Sequence, residues 1–375
     1  MNILSLFSNI GVAEAYLDKI NCNVVIANEL DKKRADIYSK IYPQTEVICG
    51  NINSENIKTE IVLKSISKKV DVIMATPPCQ GMSLAGKKEK NDLRNYLICP
   101  TIEIIQKIKP KYIFLENVPQ QLTTMINDCN KEKTILEYIK EKLSKDYIIN
   151  YKIINTANYE VPQTRKRAVF LLTRKDVKLI WEFPEECEHQ KTLLEAIGDI
   201  PILDPVISDV TYDVQLKFFP KFEERKKEAL LISKWHTPPS HVLRHIVAME
   251  RTEPGKSALD NINEFKPKDK NGKIVKGYNT AYKRQSWNSP AYTITMANGS
   301  ISSQNNVHPG RYLYSDKYGP VFSDARVLTL YEIMICMSLP TNWNLPTDIS
   351  EQYIRKVIGE GIPPLFVKKV FKKII

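Results

Sequence analysis

The sequence is poor in the patterns that hold disulfides and metal ions. Its seven cysteines are scattered, odd in number and contain no Cys-x-x-Cys pair, which excludes a disulfide framework. Only five histidines occur, and His241 and His245 have no cysteine or third histidine at ligand spacing. We therefore predict no metal site.

Long hydrophobic runs are missing as well. No stretch approaches the roughly 20 apolar residues that span a bilayer, and no basic leader precedes an apolar core near the amino terminus. The sequence also has no internal repeat and no low-complexity tract. These absences favour a globular, cytoplasmic protein without a membrane partner.

Positive charge, in contrast, is in excess. Lysine and arginine number 54 against 43 acidic residues, which gives a net charge of +11. Such a balance favours a polyanionic partner, although charge alone does not separate nucleic acid from an anionic membrane. The 43% hydrophobic residues can fill a sizeable core, and 375 residues allow about two domains.

Short apolar strands alternate with helical patterns in the first part of the chain, which predicts an α/β fold with a parallel sheet. The segments around 151–156 and 167–173 predict a hairpin, and the segment from Gly11 to Ile20 predicts a helix. The periodicity breaks down from about residue 174 to 323 and returns in predicted helices at 326–338 and 366–375. The predicted strands of the sheet lie at 2–7, 24–27, 47–49, 70–75 and 112–118.

Cys79 stands out because an apolar strand delivers it into a rigid turn. Pro77 and Pro78 forbid continuation of that strand, so the thiol lies at a carboxyl end, where open α/β sheets bind ligands. Glu116 ends another predicted strand, one crossover away. A thiolate can add to an electron-poor ring while a carboxyl, its pKa raised by burial, donates to a ring nitrogen.

Two further sets of residues favour a site at this edge. Arg165 and Arg167 alternate on one strand, so both guanidiniums point to one face and can favour a thiolate or hold an anion. Glu29 ends the second strand, where a carboxylate can accept bonds from two ribose hydroxyls, and Asn51 follows the third. Each is also compatible with an exposed basic hairpin or a solvated strand cap.

Five segments in order resemble the motifs of the cytosine carbon-5 DNA methyltransferase family of bacterial restriction-modification systems. They are PPCQGMS at 77–83, ENV at 116–118, QTRKR at 163–167, RVLTLYE at 326–332 and GEGIPP at 359–364. The resemblance implies a Rossmann-like S-adenosylmethionine-dependent fold with a mostly parallel mixed sheet and a smaller irregular target-recognition domain. It implies a catalytic domain at 1–174, recognition at 175–325 and a returning segment at 326–375.

The resemblance also implies a reaction. S-adenosylmethionine donates a methyl group to carbon 5 of a cytosine flipped out of a specific duplex DNA sequence, and S-adenosylhomocysteine is the product. Cys79 attacks ring carbon 6, Glu116 bonds ring nitrogen 3, and Arg165, with Arg167, orients the base or phosphate. The implied partners are double-stranded DNA and a possible cognate restriction endonuclease. We expect the protein to be a monomer.

Further sites carried over from the family are predictions of the same kind. The loop from Lys87 to Arg94 is expected to close over the flipped base. Arg284, Gln285 and Asn298 are candidate base readers chosen as polar residues of the irregular region, since no family motif identifies the base readers. Predicted DNA contacts are Gln80, Ser83, Lys87, Gln163 and Arg284. Predicted cofactor contacts are Phe7, Asn9, Ile10, Gly11, Glu29, Leu30, Asn51, Ile52, Pro78, Leu97, Glu360 and Ile362.

Four positions depart from the family pattern near the cofactor. Asn9 and Val12 replace glycines of the first turn, Asn51 replaces an acid, and Glu360 replaces a late asparagine. Asparagine tolerates positive φ, whereas a valine side chain crowds the turn. We therefore expect weaker cofactor binding without a change of reaction.

Three other functions stay open at this point. An RNA cytosine methyltransferase can share this catalytic domain, and the QGMS continuation with a long variable region favours DNA over transfer RNA. A catalytically weak DNA-binding regulator fits the altered turn, but not the retention of Cys79, Glu116 and Arg165 together. A nicotinamide dehydrogenase is disfavoured because the first turn lacks G-x-G-x-x-G.

Overall fold

The computed structural model describes residues 1–78, 92–302 and 305–375. The strands are β1 Asn2–Leu6, β2 Asn23–Glu29, β3 Glu46–Cys49, β4 Val72–Ala75, β5 Tyr112–Asn117, β6 Met125–Asp128, β7 Lys131–Thr134, β8 Tyr147–Asn155, β9 Lys166–Arg174, β10 Val206–Ile207, β11 Ser240–His241, β12 Tyr312–Asp316 and β13 Gly319–Phe322. The α-helices are α1 Lys32–Ile41, α2 Glu55–Ser67, α3 Ile98–Ile108, α4 Ile135–Leu143, α5 Leu193–Ile197, α6 Tyr212–Phe218, α7 Phe222–Ile232, α8 Leu243–Glu250, α9 Leu330–Cys336, α10 Glu351–Glu360 and α11 Pro364–Phe371.

A seven-stranded sheet in the order β3-β2-β1-β4-β5-β9-β8 organises the first half of the chain. β1 to β5 pair in parallel, whereas β9 pairs antiparallel with both β5 and β8. The predicted α/β fold with a mostly parallel mixed sheet and the predicted hairpin are confirmed. The strand order reverses between β1 and β4, and ligands bind at such switch points in open sheets.

Both faces of the sheet are covered by apolar side chains. In β4, Ile73 packs into one buried cluster, while its neighbours Val72 and Met74 pack into the other. This alternation is what a strand buried on both faces requires. α11 belongs to the second cluster through Phe366 and Phe371.

Two predicted helices differ from the structure. The segment after Gly11 forms turns and a short 3-10 helix at Asp18–Ile20, and Leu17 and Ile20 donate i→i+3 hydrogen bonds instead of continuing an α-helix. The helix predicted at 326–338 begins only at Leu330, because the Thr329 side chain and Glu332 form a capping box there.

Residues 175–325 carry short elements joined by long irregular stretches. β10–β11 and β12–β13 are separate two-stranded pairs, and one apolar cluster within 207–325 includes α8 side chains Ile246 and Met249. Across the described part of the chain, every helix is too short or too polar to cross a membrane.

Candidate active site

The candidate site lies at the carboxyl ends of β1, β4 and β5, next to the switch point between β1 and β4. β1 pairs with β4 through Leu6 and Ala75, and β4 pairs with β5 through Ala75 and Leu115. The chain leaves β4 through Thr76, Pro77 and Pro78, while Glu116 follows Leu115 directly. The predicted residues Cys79, Gln80, Ser83 and Lys87 lie outside the described residues.

Glu116 is a buried carboxyl held by an arginine. It is 8% exposed, and Nε of Arg167 lies 2.7 Å from its Oε1. Burial raises the pKa of the Glu116 carboxyl, and the charges of Arg167 and Arg165 oppose this without reversing it. The carboxyl is therefore easier to protonate than a solvated one, as its predicted role requires.

Asn117 fixes the chain that leads toward Cys79. Its side-chain Nδ2 donates to the Pro77 carbonyl at 3.0 Å, while its Oδ1 accepts from the Val118 N–H at 2.8 Å. The side chain is only 2% exposed, so the bond is shielded from water. No positioning role was predicted for Asn117, and its signal was its place in the ENV motif.

Arg165 is anchored in the interior. It is 2% exposed and donates through Nη1 to the Ile294 carbonyl at 2.7 Å and through Nη2 to the Gly359 carbonyl at 3.0 Å. These bonds go to the protein backbone, although the charge of Arg165 still acts to lower the pKa of Glu116. In this geometry Arg165 holds chain segments together, whereas Arg167 contacts the carboxyl.

A tight turn follows β1. Phe7, Asn9 and Gly11 have φ values of 58°, 51° and 82°, in the left-handed region that non-glycine residues rarely adopt. The Asn9 N–H donates to Oε2 of Glu29 at 2.8 Å, and the Asp31 N–H donates to Oε1 at 3.0 Å. Each carboxylate oxygen keeps a further lone pair, so Glu29 can still accept from a ligand hydroxyl.

The other predicted cofactor residues fall into two groups. Leu30 is 67% exposed, and Asn51 is exposed with its Oδ1 accepting from the Asn53 N–H. The side chains of the second group pack in or against the apolar clusters. These residues can therefore bond a ligand through their backbone N–H and carbonyl groups. These residues are Ile10, Ile52, Leu97 and Ile362.

Two of the predicted DNA contacts are buried instead. Arg284 is 0% exposed and donates to backbone carbonyls that include those of Met249, His308 and Ser323. Gln163 is also 0% exposed and accepts from the Ile294 N–H at 3.1 Å. Both side chains are bonded inside the protein and lie away from its surface in this structure, so direct contact with DNA would require them to leave these bonds.

The two further candidate base readers are also buried. Gln285 is 3% exposed and accepts from the Tyr292 N–H at 3.0 Å. Asn298 is 2% exposed and donates to the carbonyls of Thr295 and Arg355, each at 2.7 Å. Both bind the backbone of this region, so neither is presented to DNA.

Comparisons with known proteins agree on one family. A family model described as C-5 cytosine-specific DNA methylase matches residues 1–375. The chain is 39% identical over 376 residues to the type II methyltransferase M1.HgaI of Avibacterium volantium, covering 99% of this chain and 97% of that protein. It is 24% identical to the type II methyltransferase M.DdeI of Desulfomicrobium norvegicum, over 100% of this chain and 88% of the relative.

A solved structure supports the fold alone. A mutant of Spodoptera frugiperda DNMT2 superposes with a TM-score of 0.58 at 16% identity, covering 99% of this chain and 98% of that one. The chain as a whole therefore follows a known fold.

Proposed function

The chain belongs to the C-5 cytosine-specific DNA methylase family and is a DNA cytosine-5-methyltransferase, and we propose a mechanism for it here. We propose that it methylates carbon 5 of a cytosine flipped out of a specific duplex sequence, through a transient bond from Cys79. S-adenosylmethionine would supply the methyl group. The names of its relatives suggest that the modification protects DNA from a cognate endonuclease.

One observation carries this proposal. Glu116, a carboxyl with a raised pKa, is the second-last residue of β5, which pairs with the strand whose next residues lead to Cys79. The Asn117 bond to the Pro77 carbonyl supports a fixed distance between these two strand ends. Addition to a cytosine ring requires a proton donor and a nucleophile, and we propose Glu116 and Cys79 for these two roles.

The proposed reaction is an addition, a methyl transfer and an elimination. The Cys79 thiolate adds to carbon 6 while the Glu116 carboxyl hydrogen-bonds ring nitrogen 3, which moves electron density to carbon 5. Carbon 5 takes the methyl group, and S-adenosylhomocysteine would be the leaving group. Carbon 5 then gives its proton to water, and the electron pair of that C–H bond re-forms the ring double bond and expels the Cys79 thiolate. Arg167 keeps the Glu116 carboxyl in place through its 2.7 Å contact.

The residues around the first turn fit a nucleoside-bearing cofactor. The positive φ values of the turn bring backbone close to the sheet edge, and the Glu29 carboxylate is 7% exposed with lone pairs left for ribose hydroxyls. Glu29, Asn51 and the turn itself are the residues that we propose hold it.

Bisulfite sequencing tests the proposal. Duplex DNA treated with the protein and S-adenosylmethionine should show protected cytosines within one recurring sequence. Unmodified DNA together with methylated transfer RNA would contradict the DNA substrate and favour the RNA alternative.

A further inference from the structure

Residues 357–361, at the end of α10, contact three side chains around the first turn. We call this segment the clasp. It is itself anchored on its other side, because Arg165 donates to the carbonyls of Gly359 and Glu360 at 3.0 Å and 3.3 Å. Gly359 also leaves no room for a side chain against the Thr295 backbone. A segment fixed in this way can hold whatever contacts it.

The first contact joins the clasp to a residue of the turn that has a positive φ. Asn9 has a φ of 51°, and its Nδ2 donates to the Val357 carbonyl at 2.9 Å. Its backbone N–H simultaneously donates to Glu29 at 2.8 Å. One residue therefore links the clasp, the turn and the proposed ribose-binding carboxylate.

The second contact is a steric match. Val12 is 2% exposed, and a Cβ built on Gly361 would lie 2.6 Å from Val12 Cγ1. The backbone of Gly361 has a φ of −73°, which any residue can adopt, so space and not conformation requires glycine here. The valine that crowds the turn is accommodated by a glycine in the clasp.

The third contact is an ion pair. Nη1 of Arg34, on α1, lies 2.7 Å from Oε2 of Glu360, and both side chains are less than one-fifth exposed, at 19% and 17%. The extra carboxylate near the cofactor region is therefore neutralised by a partner. Partial burial makes this pair stronger than a fully exposed one.

We propose that the clasp holds the first turn in its cofactor-binding shape, with Asn9, Val12, Arg34 and Glu360 as positioning residues. This inference rests on the proposed function, because it assigns these contacts to the same cofactor site. It also revises the expectation of weak binding: each of three departures from the family pattern has a partner that offsets it.

Calorimetric titration with S-adenosylhomocysteine tests the polar contacts. Asn9→Gly keeps the positive φ but removes the bond to Val357, and we expect the dissociation constant to rise about 5- to 10-fold. Glu360→Gln should raise it about threefold. The matched control is Asp348→Asn, which removes an exposed 2.7 Å ion pair to Lys40 on the same helix α1 and should change nothing.

A size exchange tests the steric contact. Gly361→Ala alone should weaken binding at least about 10-fold, because the new methyl group displaces Val12 and the turn. Adding Val12→Gly should restore binding to within about twofold, since it removes the side chain that the methyl group meets. Rescue would show that the clash with Val12, and not the added methyl group alone, causes the loss of binding.

Kinetics and folding separate the possible outcomes. In Asn9→Gly the KM for S-adenosylmethionine should rise, while kcat and the KM for DNA stay unchanged, with a wild-type circular dichroism spectrum. Wild-type affinity in both Asn9→Gly and Glu360→Gln, or no rescue by Val12→Gly, would overturn the clasp while leaving the proposed function intact. A folded wild-type protein that binds no S-adenosylhomocysteine would overturn both.

Discussion

The strand end at Glu116 and the start of α9 at Glu332 each hold a buried carboxyl facing an arginine, but they differ in proton affinity. Burial raises the pKa of Glu116, because one contact from Arg167 and the charge of Arg165 do not offset the loss of water. At Glu332, burial acts in the same direction but is outweighed, and the pKa is lowered well below its usual range.

The charge of Arg326 is the largest effect that opposes burial at Glu332, and hydrogen bonds from the same guanidinium add to it. Arg326 donates to both oxygens of Glu332, at 2.8 Å and 2.9 Å, and the Thr329 N–H adds a bond of 2.8 Å. A bidentate pair with a backbone donor favours the charged form far more than a single contact does. Glu116 is therefore bonded less than Glu332 and binds a proton more readily, which agrees with the role proposed for it.

The largest effect should come from Glu116→Gln. The amide keeps the shape but cannot exchange a proton with the ring, so single-turnover methyl transfer should fall about 10²- to 10⁴-fold. The free energy of unfolding, measured in urea, should change by about 1 kcal/mol or less. If the variant instead loses enough unfolding free energy to account for its lower rate, Glu116 is structural, like Glu332.

Arg326→Met should act on stability instead. It leaves Glu332 and Asp324 buried without their shared cation, which costs about 3–5 kcal/mol of unfolding free energy. Arg167→Met is the matched control, since Glu116 can take up a proton when its partner is removed. An equal loss of unfolding free energy in Arg167→Met, measured in urea, would contradict this difference between the two carboxyls.

Glu14 extends the comparison to a buried carboxyl that is bonded by a hydroxyl group and not by an arginine. Burial raises its pKa to about 7 from 4.5, and a 2.6 Å bond from the Ser5 hydroxyl opposes this only in part. The folded state thus binds the proton more tightly, so this contribution is present below about pH 4.5 and is lost as pH rises through about 7.

Glu14→Gln tests that sign. Relative to this variant, wild-type unfolding free energy should fall by about 3 kcal/mol between about pH 4.5 and pH 8. Urea titrations across that range measure the difference. A difference that stays constant with pH would mean that Glu14 is charged in the fold.

The smallest effect is expected at Asn117. Asn117→Ala leaves the Pro77 carbonyl without its donor, which should cost about 1–2 kcal/mol of stability. Methyl transfer should slow by about tenfold as the chain toward Cys79 loses its tether. A variant with the same loss of stability and an unchanged rate would remove Asn117 from the positioning machinery.

The sheet could be predicted from sequence because the apolar runs of its strands and the residues that end them agree. Each parallel strand is a short apolar run, and Pro77 and Pro78 mark the end of β4. The helix after Gly11 was predicted wrongly. The segment looks amphipathic in the sequence, but Leu17 and Ile20 donate i→i+3 hydrogen bonds, and the Glu14 side chain turns inward to Ser5. No periodicity reveals that a charged residue is buried.

The irregular region was harder for a related reason. With few strands and helices to bond its backbone, buried carbonyls there are satisfied by side chains, and Arg284 alone serves those of Met249, His308 and Ser323. In sequence such an arginine is indistinguishable from a base reader. Contacts between distant segments, such as Arg34 with Glu360, carry no local signal at all.

A covalent trap tests the central claim most directly. Duplex DNA carrying 5-fluorocytosine within the methylated sequence keeps fluorine where a proton must leave, so the adduct should persist. With S-adenosylmethionine present, wild-type protein should form a crosslink that maps to Cys79, and Cys79→Ser should bind the DNA without forming one. A wild-type protein that methylates ordinary DNA but leaves no crosslink at Cys79 would contradict the account.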